Sequence, residues 1–193
     1  MKLTSLFLPS LFFGVQSFAA GSGIQIGELN FGGTGCKAGT VTVDQNSLKI
    51  GQITFKDFKL NARKGMDRKA CNISIPLDVP KGVQVGIGPI DQIKGSLTLP
   101  NGSAKLKVNQ EVFFAGLRGK VVSFEKKGAA QGALKIENSS LLKDLRWSEC
   151  GQAVSLRVSL IAQLESPSRK MASANLDSMN ILKTGRLYWR SCQ

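Results

Sequence analysis

A chain of 193 residues with 26 Lys and Arg against 13 Asp and Glu carries a formal charge of +13, and it contains no histidine. The missing imidazole excludes Ser-His-Asp and Cys-His catalysis and every histidine-ligated metal site. The length fits one domain with a full hydrophobic core, and the charge excess favours polyanionic partners in a salt-dependent way.

The chain opens on Met1-Lys2, an apolar run from Leu3 to Val15, and small residues at Ser17 and Ala19. That order of basic start, apolar stretch and small-residue site reads as a signal peptide over residues 1–19, cleaved after Ala19. Pro9, Gly14, Gln16 and Ser17 break the run before the roughly 20 apolar residues a membrane span needs. The expected product is a single domain, residues 20–193, secreted or periplasmic and without a transmembrane segment; its charge is +13 less the one positive charge of Lys2, or +12.

From there on, apolar and polar residues alternate between Gly, Asn, Asp and Pro punctuation, which is the period of strands. The predicted strands cover residues 23–31, 39–43, 48–60, 72–79, 83–90, 92–99, 104–114, 120–124, 133–136, 153–164, 173–176 and 185–192. Overlapping the end of the third and running toward the fourth is a basic segment, residues 56–69, read as a charged loop in which Arg63, Lys64, Arg68 and Lys69 are the candidate anion-binding residues. Around Pro100-Asn101-Gly102-Ser103 a hairpin is expected, pairing Leu99 with Ala104 and Leu97 with Leu106, with Val108 on the same buried face. Any helix is confined to a turn near residues 139–144, and Ser166 to Lys170 reads as a polar turn. The strands from residue 153 and from residue 185 both read as core strands. So many short strands predict an all-β class: a single-domain, mainly antiparallel β-sandwich or jelly roll, with a closed barrel as the alternative.

All four cysteines, Cys36, Cys71, Cys150 and Cys192, follow the signal segment, and export places them where thiols pair. Three connectivities are open to four cysteines. The favoured one is Cys36 with Cys71 and Cys150 with Cys192, since each closes a loop within one half of the chain. A four-thiolate zinc site is the weaker reading, because the short Cys-x-x-Cys element is missing.

No nucleophile elbow, phosphate loop or dinucleotide fingerprint is present, and the sequence calls for no metal and no cofactor. Scattered acids (Asp44, Asp57, Asp67, Asp78, Asp91, Glu111 and Asp177) leave a carboxylate-pair hydrolase as the only enzymatic alternative, and the reading is non-enzymatic. Asn72, Asn101 and Asn138 each begin a glycosylation triplet, meaningful only in a eukaryotic secretory pathway.

The cysteine-centred landmarks stand in a fixed order: Gly32-Gly33-Thr34-Gly35-Cys36, Asp67-Arg68-Lys69-Ala70-Cys71, Val79-Pro80-Lys81-Gly82-Val83-Gln84-Val85, Trp147-Ser148-Glu149-Cys150-Gly151 and Leu187-Tyr188-Trp189-Arg190-Ser191-Cys192. In order and spacing they resemble the small secreted proteins of fungi and bacteria catalogued as domain of unknown function 4360. Lys37, Ala70 and Val83 stand where members of that family carry proline, asparagine and an aromatic residue, and Tyr188 is the only tyrosine here. The resemblance implies export, paired cysteines and a compact domain, with no reaction or catalytic residue attached to it. The expected function is therefore a non-catalytic binding or cell-surface module whose basic face meets an anionic polysaccharide or other polyanion. A secreted inhibitor or effector that docks on another protein is the alternative.

Overall fold

The computed structural model describes residues 23–46, 49–138, 145–181 and 187–192. The signal segment 1–19 and the helical turn expected near 139–144 lie outside the described residues. Within them the chain forms fifteen strands and no helix: β1 (Gln25–Ile26), β2 (Asn30–Gly32), β3 (Val41–Asn46), β4 (Lys49–Phe55), β5 (Lys59–Ala62), β6 (Gly65–Asp78), β7 (Val83–Ile87), β8 (Gln92–Leu99), β9 (Lys105–Phe114), β10 (Lys120–Lys127), β11 (Ala130–Glu137), β12 (Arg146–Trp147), β13 (Val154–Ser166), β14 (Ala172–Asn180) and β15 (Tyr188–Ser191).

They build an all-β sandwich of two open six-stranded sheets with a small third sheet beside it. In the first sheet β1 and β2 share the outer edge of β6, followed by β13, β9 and β10; in the second, β11, β8 and β14 are followed by β4 and β5 along one side of β14, then β3. The third sheet runs β12–β7–β15. Every strand pairing is antiparallel. The free sheet edges rule out the closed barrel.

Alternation decides what is buried. On β13 the even positions Leu156, Val158, Leu160, Ala162 and Leu164 are buried while the odd ones face outward; β9 does the same with Leu106, Val108, Val112 and Phe114. These side chains meet Ile93, Leu97, Leu99, Ala174, Leu176 and Met179 of the second sheet in one continuous core, which also takes in Val85 and Ile87 of the third.

The expected hairpin around Pro100 does not form. β8 pairs with β11 and β14, whereas β9 pairs with β10 and β13, so residues 100–103 carry the chain from the second sheet to the first. Leu97, Leu99, Ala104, Leu106 and Val108 are buried as expected, but they meet across the core instead of side by side. Alternation fixes which face of a strand is apolar; it is silent on whether the next strand continues the same sheet or faces it about 10 Å away. The crossing is secured locally, because the Asn101 Oδ1 accepts the N–H groups of Ser103 and Ala104 at 3.1 and 3.0 Å.

A second crossing corrects the reading of the basic segment as a loop. Residues 59–62 are strand β5 in the second sheet and β6 begins at Gly65 in the first, leaving only Arg63 and Lys64 as the connection. The last strand is corrected too. β15 belongs to the third sheet, with Trp189 47% exposed, and is not a core strand of the sandwich.

Two glycines are required by close backbone approach. A Cβ on Gly33, at φ 133°, would stand 2.2 Å from the carbonyl oxygen of Ala70, beside the Cys36–Cys71 bridge. A Cβ on Gly95 would stand 1.9 Å from the carbonyl oxygen of Asn175, where β14 carries a register shift between Leu176 and Ser178. Gly95 lies in the interior of the second sheet, with β11 on one side and β14 on the other, so neither neighbour can retreat without breaking ladder bonds. Gly95→Ala is therefore expected to destabilise by about 3 kcal/mol or more. Thermal unfolding of the variant measures this, and a melting temperature equal to that of the parent would contradict it.

Candidate functional site

The basic end of the sandwich is built by two turns fastened to each other. Arg63 and Lys64 join β5 to β6, with Lys64 in the left-handed region at φ 53°. The Lys64 N–H donates to the Ser168 carbonyl at 2.9 Å, and the Arg63 Nε–H donates to the Arg169 carbonyl at 2.8 Å. The polar turn after β13 is thereby held against the first, and it presents Arg169 and Lys170 beside Arg63 and Lys64, all four exposed.

Strand geometry divides the remaining predicted residues. Arg68 and Lys69 are successive in β6, so they point to opposite faces. Arg68 joins an outward row with Gln163, Lys107 and Glu125, whereas Lys69 lies opposite the buried Ala162 on the inward side. The next row along the same face runs Met66, Glu165, Lys105 and Lys127. There Lys105 reaches Glu165 at 3.2 Å, and the Glu165 carboxyl titrates below its ordinary range because Gln163 donates a hydrogen bond to it, with Lys105 second. Lys127 stands directly opposite Lys105, a like-charge pairing that the Glu165 carboxylate on Lys105 offsets. Arg63 and Lys64 are thus joined by Arg169 and Lys170, which the sequence reading left in a plain polar turn. Arg68 is joined by Lys107, and Lys69 does not share their surface.

A second feature lies farther along the outer face of the first sheet. Ser74, Arg157 and Phe113 stand in one row across β6, β13 and β9, with Asn30 of β2 opposite Ser74 and the next row starting Asn72, Ser159. These six residues line a groove of about 570 Å³. It adjoins a hollow of about 380 Å³ lined by Phe113, Leu117, Arg118, Arg146 and Trp147, so Phe113 borders both. Among the described residues no carboxylate lines either space. Arg118, Arg146 and Arg157 are exposed, and among the described residues none of the three is in an ion pair. The nearest acid in register, Glu111, accepts the Gly119 N–H at 3.1 Å.

Trp147 is positioned by the third sheet. A Cβ on Gly86 would stand 2.9 Å from the Trp147 ring, so the ring rests on bare backbone. The guanidinium of Arg190 lies 4.2 Å from the ring centroid, and its Nε–H donates to the Gln84 Oε1 at 3.0 Å. Gln84 in turn donates to the Ser148 carbonyl at 2.8 Å. The Cys150–Cys192 bridge ties the outer strands of this sheet, with Cα atoms 5.8 Å apart, and the Cys192 N–H donates to Gly82 O at 2.8 Å. Three landmark segments far apart in sequence (around Val83, Cys150 and Cys192) thus converge in one three-stranded unit. The other two meet at the Cys36–Cys71 bridge, Cα atoms 5.3 Å apart. The connectivity is the favoured one, and it displaces the four-thiolate zinc reading.

The chemistry available is ionic and hydrogen-bonding. Among the described residues no cluster of three potential metal ligands occurs. Glu137, like Glu165, titrates below its ordinary range, first through a hydrogen bond from Lys135 and then one from Gln92; a general acid needs the opposite shift. Asp67 accepts the Asn61 N–H at 2.9 Å, and Asp177 accepts from Asn175.

A search of the curated proteins finds no match. Among solved structures the chain is matched to the carbohydrate-binding module TmCBM61 in complex with beta-1,4-galactotriose, at 12% identity over 85% of this chain and 88% of that one, with a TM-score of 0.27. That likeness is too low to bear on fold or ligand. The family described as "Domain of unknown function (DUF4360)" matches residues 22–192, the stretch that holds both bridges and all five landmark segments, and the chain belongs to that family.

Proposed function

We propose that the protein is an exported, non-catalytic binding module that attaches to anionic polymers at a cell surface through its basic end. The observation that carries this reading is the pair of backbone-directed hydrogen bonds, Lys64 to Ser168 and Arg63 to Arg169, that set two cationic turns side by side. Four exposed positive side chains gathered on one edge form a surface whose charge is relieved by a polyanion. Both disulfides fit the oxidising compartment to which a signal peptide would deliver the chain.

Retention on heparin tests it. The mature protein is expected to elute at elevated salt, and the variant with Arg63, Lys64, Arg169 and Lys170 all changed to Ser at clearly lower salt. Lys69→Ser alone is expected to elute with the parent. Unchanged retention of the fourfold variant, or an equal loss from Lys69→Ser, would remove the basic end as the binding surface.

A further inference from the structure

We infer that the groove and hollow that meet at Phe113 form a second, size-defined site for an acidic oligosaccharide, with its acid groups on Arg157 in the groove and on Arg118 and Arg146 in the hollow. The inference goes beyond charge-driven attachment at the basic end and does not rest on it. Along β6 the groove begins at Asn72, four residues and about 13 Å from Arg68.

Three observations point to this ligand. The first is charge: three exposed arginines line the two spaces, and among the described residues no carboxylate does and none of the three is in an ion pair. Arg157, in the interior of a sheet face with Ser74 and Phe113 as its cross-strand neighbours, has no acid among the described residues paired with a guanidinium that binds carboxylates in bidentate fashion. The second is the polar inventory. Asn30, Asn72, Ser74 and Ser159 supply hydroxyl and amide groups that both donate and accept, as the hydroxyls of a sugar ring require, and Phe113 supplies an apolar wall between the two spaces. The third is location. The groove opens on the face of the sheet, where β6, β13 and β9 have already paired their backbone groups with one another. A peptide that binds by adding a strand needs an unpaired edge, and at the groove the edge strand β2 supplies three residues of one, too short for a stable added strand. Each space falls within the roughly 300–1,000 Å³ of small-ligand sites, and their shared border at Phe113 suits a linear molecule of several units.

Calorimetric titration of the full chain with an α-1,4-linked galacturonate hexamer at physiological ionic strength tests the site. Saturable binding at one site is expected. The fully methyl-esterified hexamer, equal in shape but uncharged, is expected to bind roughly tenfold to a hundredfold more weakly, and Arg157→Gln to weaken the acidic hexamer by a similar factor. Arg118→Gln is expected to weaken binding of the hexamer but to leave that of an α-1,4-linked galacturonate dimer unchanged. The Ser variant of Arg63, Lys64, Arg169 and Lys170 is expected to bind the hexamer like the parent, whatever its behaviour on heparin. Because both Arg157 and Arg118 are exposed, neither change threatens the fold. Absence of saturable binding, equal affinity for the ester, or an unchanged constant for Arg157→Gln would overturn the inference. A glutamate hexamer bound as tightly as the galacturonate hexamer would also overturn it, in favour of an acidic peptide.

Discussion

Exchanging Cys36 and Cys71 together for alanine is expected to lower the unfolding free energy by about 4 kcal/mol, the chain-entropy value for a loop of 35 residues, with a further loss from the space the two sulfurs leave. Both cysteines are fully buried, and the bridge is part of a knot: Gly35 N–H donates to Ala70 O at 2.9 Å and Ala70 N–H to Thr34 Oγ1 at 3.1 Å. The knot fastens the segment after β2 onto β6, the strand that pairs with β1, β2 and β13. Its loss is expected to weaken the whole sandwich in one cooperative transition. The Cys150–Cys192 bridge closes a loop of similar length, 42 residues, but Cys150 is exposed and, among the described residues, the strands it ties, β12 and β15, pair only with β7. Removing that pair is expected to release the third sheet while the two large sheets stay folded. Urea unfolding followed by far-ultraviolet circular dichroism and by tryptophan fluorescence separates the cases, since Trp147 and Trp189 both lie in the third sheet. The Cys36/Cys71 variant should shift both signals together; the Cys150/Cys192 variant should shift fluorescence first. Coincident curves in the second variant would show that the third sheet is not a separate unit.

The buried face of nearly every strand was legible in the sequence, because alternation has the period of the pleat and every long strand of the sandwich is wet on one side and apolar on the other. Which strand lies beside which was not. Leu97, Leu99, Ala104, Leu106 and Val108 satisfy the pattern of a hairpin as well as that of a crossing between sheets, since both arrangements bury the same atoms. The basic segment hid strand β5 and the start of β6 for another reason. Residues 56–69 are dense in charge, and in a sheet whose outer face is solvated such residues sit in strands without penalty.

The candidate site was legible only as composition. Arg63 and Lys64 were singled out by charge density, but Arg169 and Lys170, which the fold sets beside them, are about a hundred residues away and are joined to them through main-chain carbonyls that no side-chain pattern announces. Alternation along β13, with Leu156 and Val158 buried, puts Arg157 on the outer face. That it faces Ser74 and Phe113, with no acid across from it, follows from the order β6–β13–β9, which no local signal in the sequence encodes.

Replacing Phe58 by alanine is expected to cost about 3–5 kcal/mol, the range for an aromatic side chain deleted from a packed interior. Phe58 lies between β4 and β5 and is fully buried, its ring edge-on to Phe55 at a centroid distance of 5.4 Å. Its carbonyl accepts the Leu176 N–H at 3.0 Å, so the residue links the start of β5 to β14 by backbone while its ring fills the core. The ring also explains Gly35: a Cβ there would stand 2.5 Å from the nearest ring atom. Gly35→Ala in the parent is therefore expected to cost about 1–3 kcal/mol as overpacking. In the Phe58→Ala background the added methyl enters vacated space, so the double variant should be more stable than the sum of the two losses predicts, with a coupling of about 0.5–3 kcal/mol. Urea unfolding of the four proteins in this cycle measures it. Strict additivity would mean that Gly35 is required by something other than the Phe58 ring. A positive coupling would tie the glycine of the landmark segment before Cys36 to one aromatic side chain across the core, and so tie the shape of the buried bridge to the packing of the second sheet.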